Sequence, residues 1–149
     1  MARIVSINLS DKKGTIKRPA EQGVLIEEFG FEGDAHAGKW HRQVSLLAQE
    51  SIDKMIALGL NDLTPGIFAE NITTEGIELY TLPVGTRLKL GEALAEVTQI
   101  GKECHHHCEV FKRVGKCVMP TEGIFVRILQ GGLVRPGDAV EIVEQPVQA

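Results

Sequence analysis

Long apolar runs are missing from this sequence. No stretch of its 149 residues approaches the roughly 20 apolar residues that a membrane-spanning helix needs. The opening segment, MARIVSINLSDKKG, lacks the uninterrupted apolar core of a secretory signal. Excess positive charge is missing as well. Sixteen Lys and Arg against twenty Asp and Glu give a net charge of -4. Neither a general nucleic-acid surface nor a membrane-surface role follows from that balance, although a local basic cluster can still hold a phosphate. Aromatic residues are scarce, at 5%. The expected location is the cytoplasm. The three cysteines are an odd number, and a reducing compartment disfavours disulfides. Cys104, Cys108 and Cys117 are then free thiols, metal ligands or a nucleophile.

What is present describes one globular domain, residues 1–149, with 43% apolar and 24% charged residues and enough length for a real core. No repeat, low-complexity tract or linker divides it. Sixteen glycines punctuate short apolar runs. RIVSINL (Arg3 to Leu9) suits a strand, as does the region of Val24 to Glu28. TRLKL (Thr86 to Leu90) alternates strictly. Gly91 then opens a two-residue connection into ALAEVTQI, the signal for a type II′ hairpin. GIFVRIL (Gly123 to Leu129) reads as a mostly buried strand, and RPGD turns the chain into a last strand, AVEIVE. Two helices are expected. In LLAQESIDKMIALG, Ala48, Ile52, Met55 and Ile56 share one face, and Gly59 stands where a C-terminal cap belongs. The second is KECHHHCEVFKRVG, ending at Gly115. Many short strands and few helices point to a β-barrel or sandwich.

All three cysteines and three of the five histidines lie between Thr98 and Phe125. Cys104 and Cys108, with three residues between them, fit the loose spacing of a zinc ligand pair. A second knuckle is missing, however, and His36 and His41 are the only distant partners. Gaps of three and eight residues match no usual iron–sulfur pattern. A reactive thiolate fits better. A helix starting near Lys102 puts Cys104 in its first turn, where backbone N–H groups and the helix dipole favour an anion. Lys102 adds a positive charge. Cys117, next to Val118 and Met119, reads as a small buried hydrophobe. Of His105, His106 and His107, at most one or two can face a site.

Two further stretches carry chemistry. GFEGDAHAGKWHRQVSLL (Gly30 to Leu47) places Asp34, His36, Gly38, Lys39, His41 and Arg42 on glycine-rich backbone that a ligand can approach closely. Lys39 and Arg42 are candidate anion holders, Arg42 the better suited to bidentate contact. The plain alternative is a solvated loop anchored by Trp40. In PGIFAENITTEGIEL, Glu70 and Asn71 interrupt an apolar run. A buried polar pair needs partners, because leaving one unpaired costs about 1–3 kcal/mol. A polar network, a ligand site or a hydrogen-bonded turn at the strand end would each supply them.

Taken in order, GDAHAGKWHRQVSLL, FAENITTEGI, LPVGTRLKLGEALAEVTQIGKECH and EGIFVRILQGGLVRPGD resemble a stand-alone bacterial MOSC domain, the family of the C-terminal domain of molybdenum cofactor sulfurase. The resemblance covers about Ser6 to Val143. It implies a mainly β fold: a curved, barrel-like sheet with a few short helices. It also implies binding of the pterin-based molybdenum cofactor, molybdopterin. The family's cysteine maps onto Cys104, which by resemblance is a molybdenum ligand or sulfur carrier, with Cys108 a second candidate. The pocket maps onto Asp34, His36, Gly38, Arg42, Glu70 and Asn71, with Lys39 and Lys102 as basic neighbours. Many enzymatic relatives carry Arg-x-x-Cys where this chain has IGKEC, and Lys102 partly replaces that charge.

Three functions follow as expectations. The first is cofactor handling, with sulfur or metal transfer through Cys104. The second is a molybdenum-dependent reductase of N-hydroxylated substrates using an external electron donor. The third is a zinc-stabilised binding module. The expected partners are the pterin cofactor and proteins of cofactor biosynthesis or electron donation, not nucleic acid or membrane.

Overall fold

The computed structural model describes residues 2–10, 18–35, 37–57, 59, 70–101 and 122–145. The expected second helix and Lys102, Cys104, Cys108, Cys117 and His36 lie outside them. The chain is mainly β. In order come β1 (Arg3–Leu9), β2 (Arg18–Ala20), β3 (Gly23–Ile26), β4 (Gly30–Phe31), β5 (Val44–Ala48), α1 (Gln49–Ala57) and β6 (Ile72–Glu75). A 3-10 turn (Leu79–Thr81) follows, then β7 (Arg87–Leu90), β8 (Ala93–Ile100), β9 (Ile124–Gln130), β10 (Gly132–Val134) and β11 (Val140–Glu144).

Eight strands form one sheet in the order β11-β7-β8-β9-β5-β6-β1-β2, and β10-β3-β4 form a smaller one. Neighbours run antiparallel except β5 and β6, which are parallel. A parallel pair needs a crossover connection, and α1 lies on it. The strict alternation of β7 appears as drawn from the sequence: Leu88 and Leu90 are buried and Lys89 is exposed. Leu90 pairs with Ala93, leaving Gly91 and Glu92 as the turn. Gly91 has φ of 56° and Glu92 has no positive φ, which is the type II′ pattern.

Inward residues of nearly every strand build one core, including Ile4, Ile7, Leu46, Ile72, Leu88, Leu90, Val97, Ile124, Val126 and Ile128. On the outer side, α1 covers β5 and β6 with Ile52 and Met55. Ile56, expected on that apolar face, is 40% exposed; the buried face runs through Ser51, Ile52 and Met55 instead. Gly59 has φ of 102° and donates its N–H to the Ile56 carbonyl at 3.0 Å, as a helix end requires.

The ends of the large sheet approach one another. Arg3 bridges Ala139, Ile4 N–H donates to the Asp138 carbonyl at 2.8 Å, and Val140 N–H donates to the Ala2 carbonyl at 3.1 Å. A single bridge is not a ladder, so the sheet curves strongly without closing into a true barrel.

Candidate functional site

The loop joining β4 to β5 is fixed at its root. The Asp34 carboxylate accepts the Ser10 N–H at 3.0 Å, and Ala35 N–H donates to the Ser10 carbonyl at 2.8 Å. Gly38 N–H donates to the Phe29 carbonyl at 2.7 Å. A β-carbon at Gly30 would stand 2.7 Å from the Gln43 carbonyl oxygen, and its φ is +117°. Only glycine lets β4 and the loop's return approach so closely. Gln43 is buried, and its Oε1 accepts the Ile128 N–H at 2.9 Å, tying the loop's far end to β9.

Between these anchors, Trp40, His41 and Arg42 cross β8 and β9. The Arg42 guanidinium carbon lies 4.6 Å from the centre of the Trp40 ring and 5.6 Å from that of Phe125. Phe125 sits on β9 between Ile124 and Val126, which enter the core, so its own ring points to the outer side. Two aromatic faces thus clamp one planar cation. Arg42 Nε is buried and has no hydrogen-bond partner among the described residues. His41 Nε2 lies 2.8 Å from Gln99 Oε1, and the Thr98 hydroxyl donates to the His41 carbonyl. The Trp40 and His41 rings meet edge-on at 6.0 Å. Next to this cluster, Gly101 N–H donates to the Gly123 carbonyl at 2.6 Å. There β8 ends, and the cysteine-bearing sequence begins with Lys102.

Glu70 and Asn71 sit immediately before β6, fully buried, and not within the strand. Their polar groups are satisfied by a network on the outer side of β5, β6 and β1. The Thr73 hydroxyl donates to Glu70 Oε2 at 2.9 Å, and Asn8 Nδ2 donates to Thr73 Oγ1 at 3.2 Å. Asn71 Oδ1 accepts from the Ser45 N–H at 3.0 Å. Ser45 is also the cross-strand partner of Phe125. The clamp and the polar network therefore adjoin on one surface of the sheet, linked through Phe125 and Ser45.

Of the residues singled out in the sequence, Arg42, Glu70 and Asn71 come together on this surface. Gly38 and the exposed Lys39 lie on the same loop. Asp34 is buried at the loop's root, its carboxylate engaged with backbone. Phe125, Thr98 and Gln99 were not legible as site residues. They are ordinary strand residues, and only the β8–β9 pairing places them under the loop. A separate cavity of about 450 Å³ opens beside α1, lined by Ser51, Lys54, Tyr80 and Glu122 among others.

The family model of the MOSC domain matches residues 33–141, a span that includes residues 33–43 of the loop and, apart from Asn8, the polar network. The uncharacterized protein YflK of Bacillus subtilis is 27% identical over 142 residues. That match covers 89% of this chain, and this chain spans only 64% of the relative's length. Among solved structures, the YuaD protein of Bacillus subtilis superposes with a TM-score of 0.78 at 17% identity, covering 94% of each chain. YiiM of Geobacillus stearothermophilus gives 0.72 at 22% identity, covering 97% of this chain and 76% of that one. At such identities the superpositions speak for the fold, and the family match speaks for kinship: this chain belongs to the MOSC domain family.

Proposed function

We propose that this protein handles the molybdenum cofactor, holding its anionic pterin at the Arg42 loop and engaging its metal or a transferable sulfur through Cys104. The observation that carries the reading is the state of Arg42. A guanidinium clamped between two rings keeps its orientation, and its buried Nε–H has no partner among the described residues. Leaving a donor of that kind unmet costs about 1–3 kcal/mol, and more for a charged group. An oxyanion beside the loop would satisfy it. Arg42 and Lys39 give this loop a positive face on a chain of net charge -4, so the residues present fit an anionic group.

Arg42 and Lys39 would hold the anionic end. Gly38 lets the group approach the backbone. Asp34 and the Glu70–Asn71 network keep the surrounding loop and strand starts in place. Cys104 follows Gly101 by three residues, and a chain of three residues reaches at most about 11 Å. When bound, the cofactor supplies a metal already held by its own dithiolene sulfurs, so one soft protein donor is enough.

The test is metal and pterin analysis of protein purified from a cofactor-producing host, comparing the parent with Cys104→Ser, Cys108→Ser and Cys117→Ser. Loss of molybdenum or labile sulfur in Cys104→Ser alone, with an unchanged melt, is the expected result. Zinc in the parent, released together with unfolding in all three variants, would replace this reading with that of a zinc-stabilised module. Turnover of an N-hydroxylated base with a generic electron donor would extend it to a reductase.

A further inference from the structure

We propose that His41 is a proton-transfer residue of this site, with its exchangeable proton on Nδ1. The proposal rests on the reading of the Trp40–Arg42 loop as a ligand site. The hydrogen bonds fix the tautomer by elimination. The carbonyl oxygen of Gly101 can only accept, so the Gln99 side-chain atom 2.8 Å from it is the amide nitrogen. Gln99 Oε1 then faces His41, 2.8 Å from Nε2. A carboxamide oxygen also can only accept, so Nε2 carries the ring's proton. In a neutral imidazole the lone pair is left on Nδ1. Protonating Nδ1 disturbs neither hydrogen bond. The ring can therefore take up and give back a proton without losing its place, as an acid–base residue must.

The grip on His41 depends on an irregularity in β8. Thr98 donates to the His41 carbonyl and Gln99 holds its ring, yet adjacent residues of a regular strand point to opposite faces. The β8–β9 register shifts between Val97 and Gln99, and that bulge lets both side chains reach one residue. Bulges that re-aim a side chain recur beside functional sites. His41 itself is exposed, and Trp40, 37% exposed, offers an aromatic surface against which a flat ligand can lie. Among the described residues, the charged side chains nearest in sequence on its own loop are Lys39 and Arg42. The β-strands beneath contribute the neutral Thr98, Gln99 and Phe125, and among the described residues no carboxylate pairs with the imidazole. The reaction is a bare proton transfer: a ligand X–H gives its proton to Nδ1, leaving X⁻ and an imidazolium, and the reverse step returns it.

A cofactor-independent probe tests this with the full chain. 5-Nitrobenzisoxazole is flat and loses one C–H proton to a base. The electron pair of that bond completes a nitrile as the N–O bond breaks, releasing a coloured phenolate. The parent protein should accelerate this above buffer, and His41→Gln should lose about tenfold or more of the acceleration. Gln99→Leu should also lower the rate. Gln99→Glu should keep more of the rate than Gln99→Leu, because a carboxylate oxygen still accepts from Nε2–H although the bond to the Gly101 carbonyl is lost. Long-range proton–nitrogen NMR should show the Nε2–H tautomer for His41 in the parent and in Gln99→Glu, and a mixture in Gln99→Leu. An Nδ1–H tautomer in the parent, a parent no faster than buffer, or a His41→Gln variant as fast as the parent would each overturn the proposal. Absence of pterin and molybdenum alongside an intact probe reaction would instead remove the cofactor reading and leave His41 as a base.

Discussion

Ser45 and Asn71 hold one another in both directions. The N–H and hydroxyl of Ser45 donate to Asn71 Oδ1 at 3.0 and 3.2 Å, while the Asn71 N–H returns to the Ser45 carbonyl at 2.9 Å and to its Oγ at 3.0 Å. Asn71 Nδ2 also donates to the Asn8 carbonyl at 3.2 Å. One side chain thus joins β5, β6 and β1 on the surface next to the Arg42 clamp. Asn71→Ala removes the acceptor of both the Ser45 N–H and hydroxyl and the side-chain donor to the buried Asn8 carbonyl. At about 1–3 kcal/mol for each orphaned group, with some relaxation, the expected loss is about 2–4 kcal/mol in urea unfolding. A loss under about 1 kcal/mol would mean that water or rearrangement meets these groups.

Thr74 is the opposite case. It is fully buried on β6, and its hydroxyl has no hydrogen-bond partner among the described residues. Valine has nearly the same shape and suits a strand. Thr74→Val should be neutral or stabilising, by up to about 1–2 kcal/mol, because it removes an unmet polar atom instead of creating one. A lowered melting temperature would show that the hydroxyl has a partner.

Strand alternation, the Gly91 turn and the α1 periodicity made the mainly β character legible in the sequence. Each is a local signal that reports one residue's face. Ile56 shows the limit: periodicity placed it on the apolar stripe, but the stripe that meets β5 and β6 is narrower and leaves Ile56 in solvent. Candidate site residues were legible where chemistry clusters along the chain, as in Lys39, Arg42 and the Glu70–Asn71 pair. Phe125 and Gln99 were not, because their roles arise from pairing between strands far apart in sequence and from a bulge that no pattern announces. Asp34 stands in the sequence among the candidate cofactor-binding residues, and in the structure its carboxylate accepts the Ser10 N–H.

Arg42 should resist replacement by another cation. Lysine keeps the charge but cannot stack flat between Trp40 and Phe125, nor offer a planar fork of donors. Titration of the pterin cofactor should show Arg42→Lys weakened about tenfold and Arg42→Ala about tenfold to a hundredfold, in line with loss of a charge-assisted contact worth about 1.5–3 kcal/mol. Lys39→Ala, at an exposed position, should cost less and depend more on salt. Equal affinities in the parent, Arg42→Lys and Arg42→Ala would place the anion elsewhere.

The Lys54–Glu122 pair yields a prediction in pH. Glu122 is the first described residue after the cysteine-bearing sequence, and it docks onto α1. Its carboxylate accepts from the Ser51 hydroxyl at 2.6 Å and from Lys54 Nζ at 2.9 and 3.0 Å. The hydrogen bond to Glu122 holds the Lys54 pKa above its ordinary 10.5, against the smaller opposing effect of desolvation. A raised lysine value means that the folded chain binds this proton more tightly than the unfolded chain does. The contribution is therefore complete below the ordinary value of 10.5 and disappears as pH climbs through the raised one. Lys54→Met removes the titrating group while leaving Glu122 its bond from Ser51. Melting temperatures of parent and variant, followed from about pH 8 to about pH 11, should show a constant gap that narrows only at the alkaline end. The size of the gap will be modest, because Lys54 is solvent-exposed and the pair is screened. A gap that persists unchanged to the alkaline limit would assign the effect of Lys54 to packing of its stem against Tyr80, 5.4 Å from the ammonium, and not to its charge.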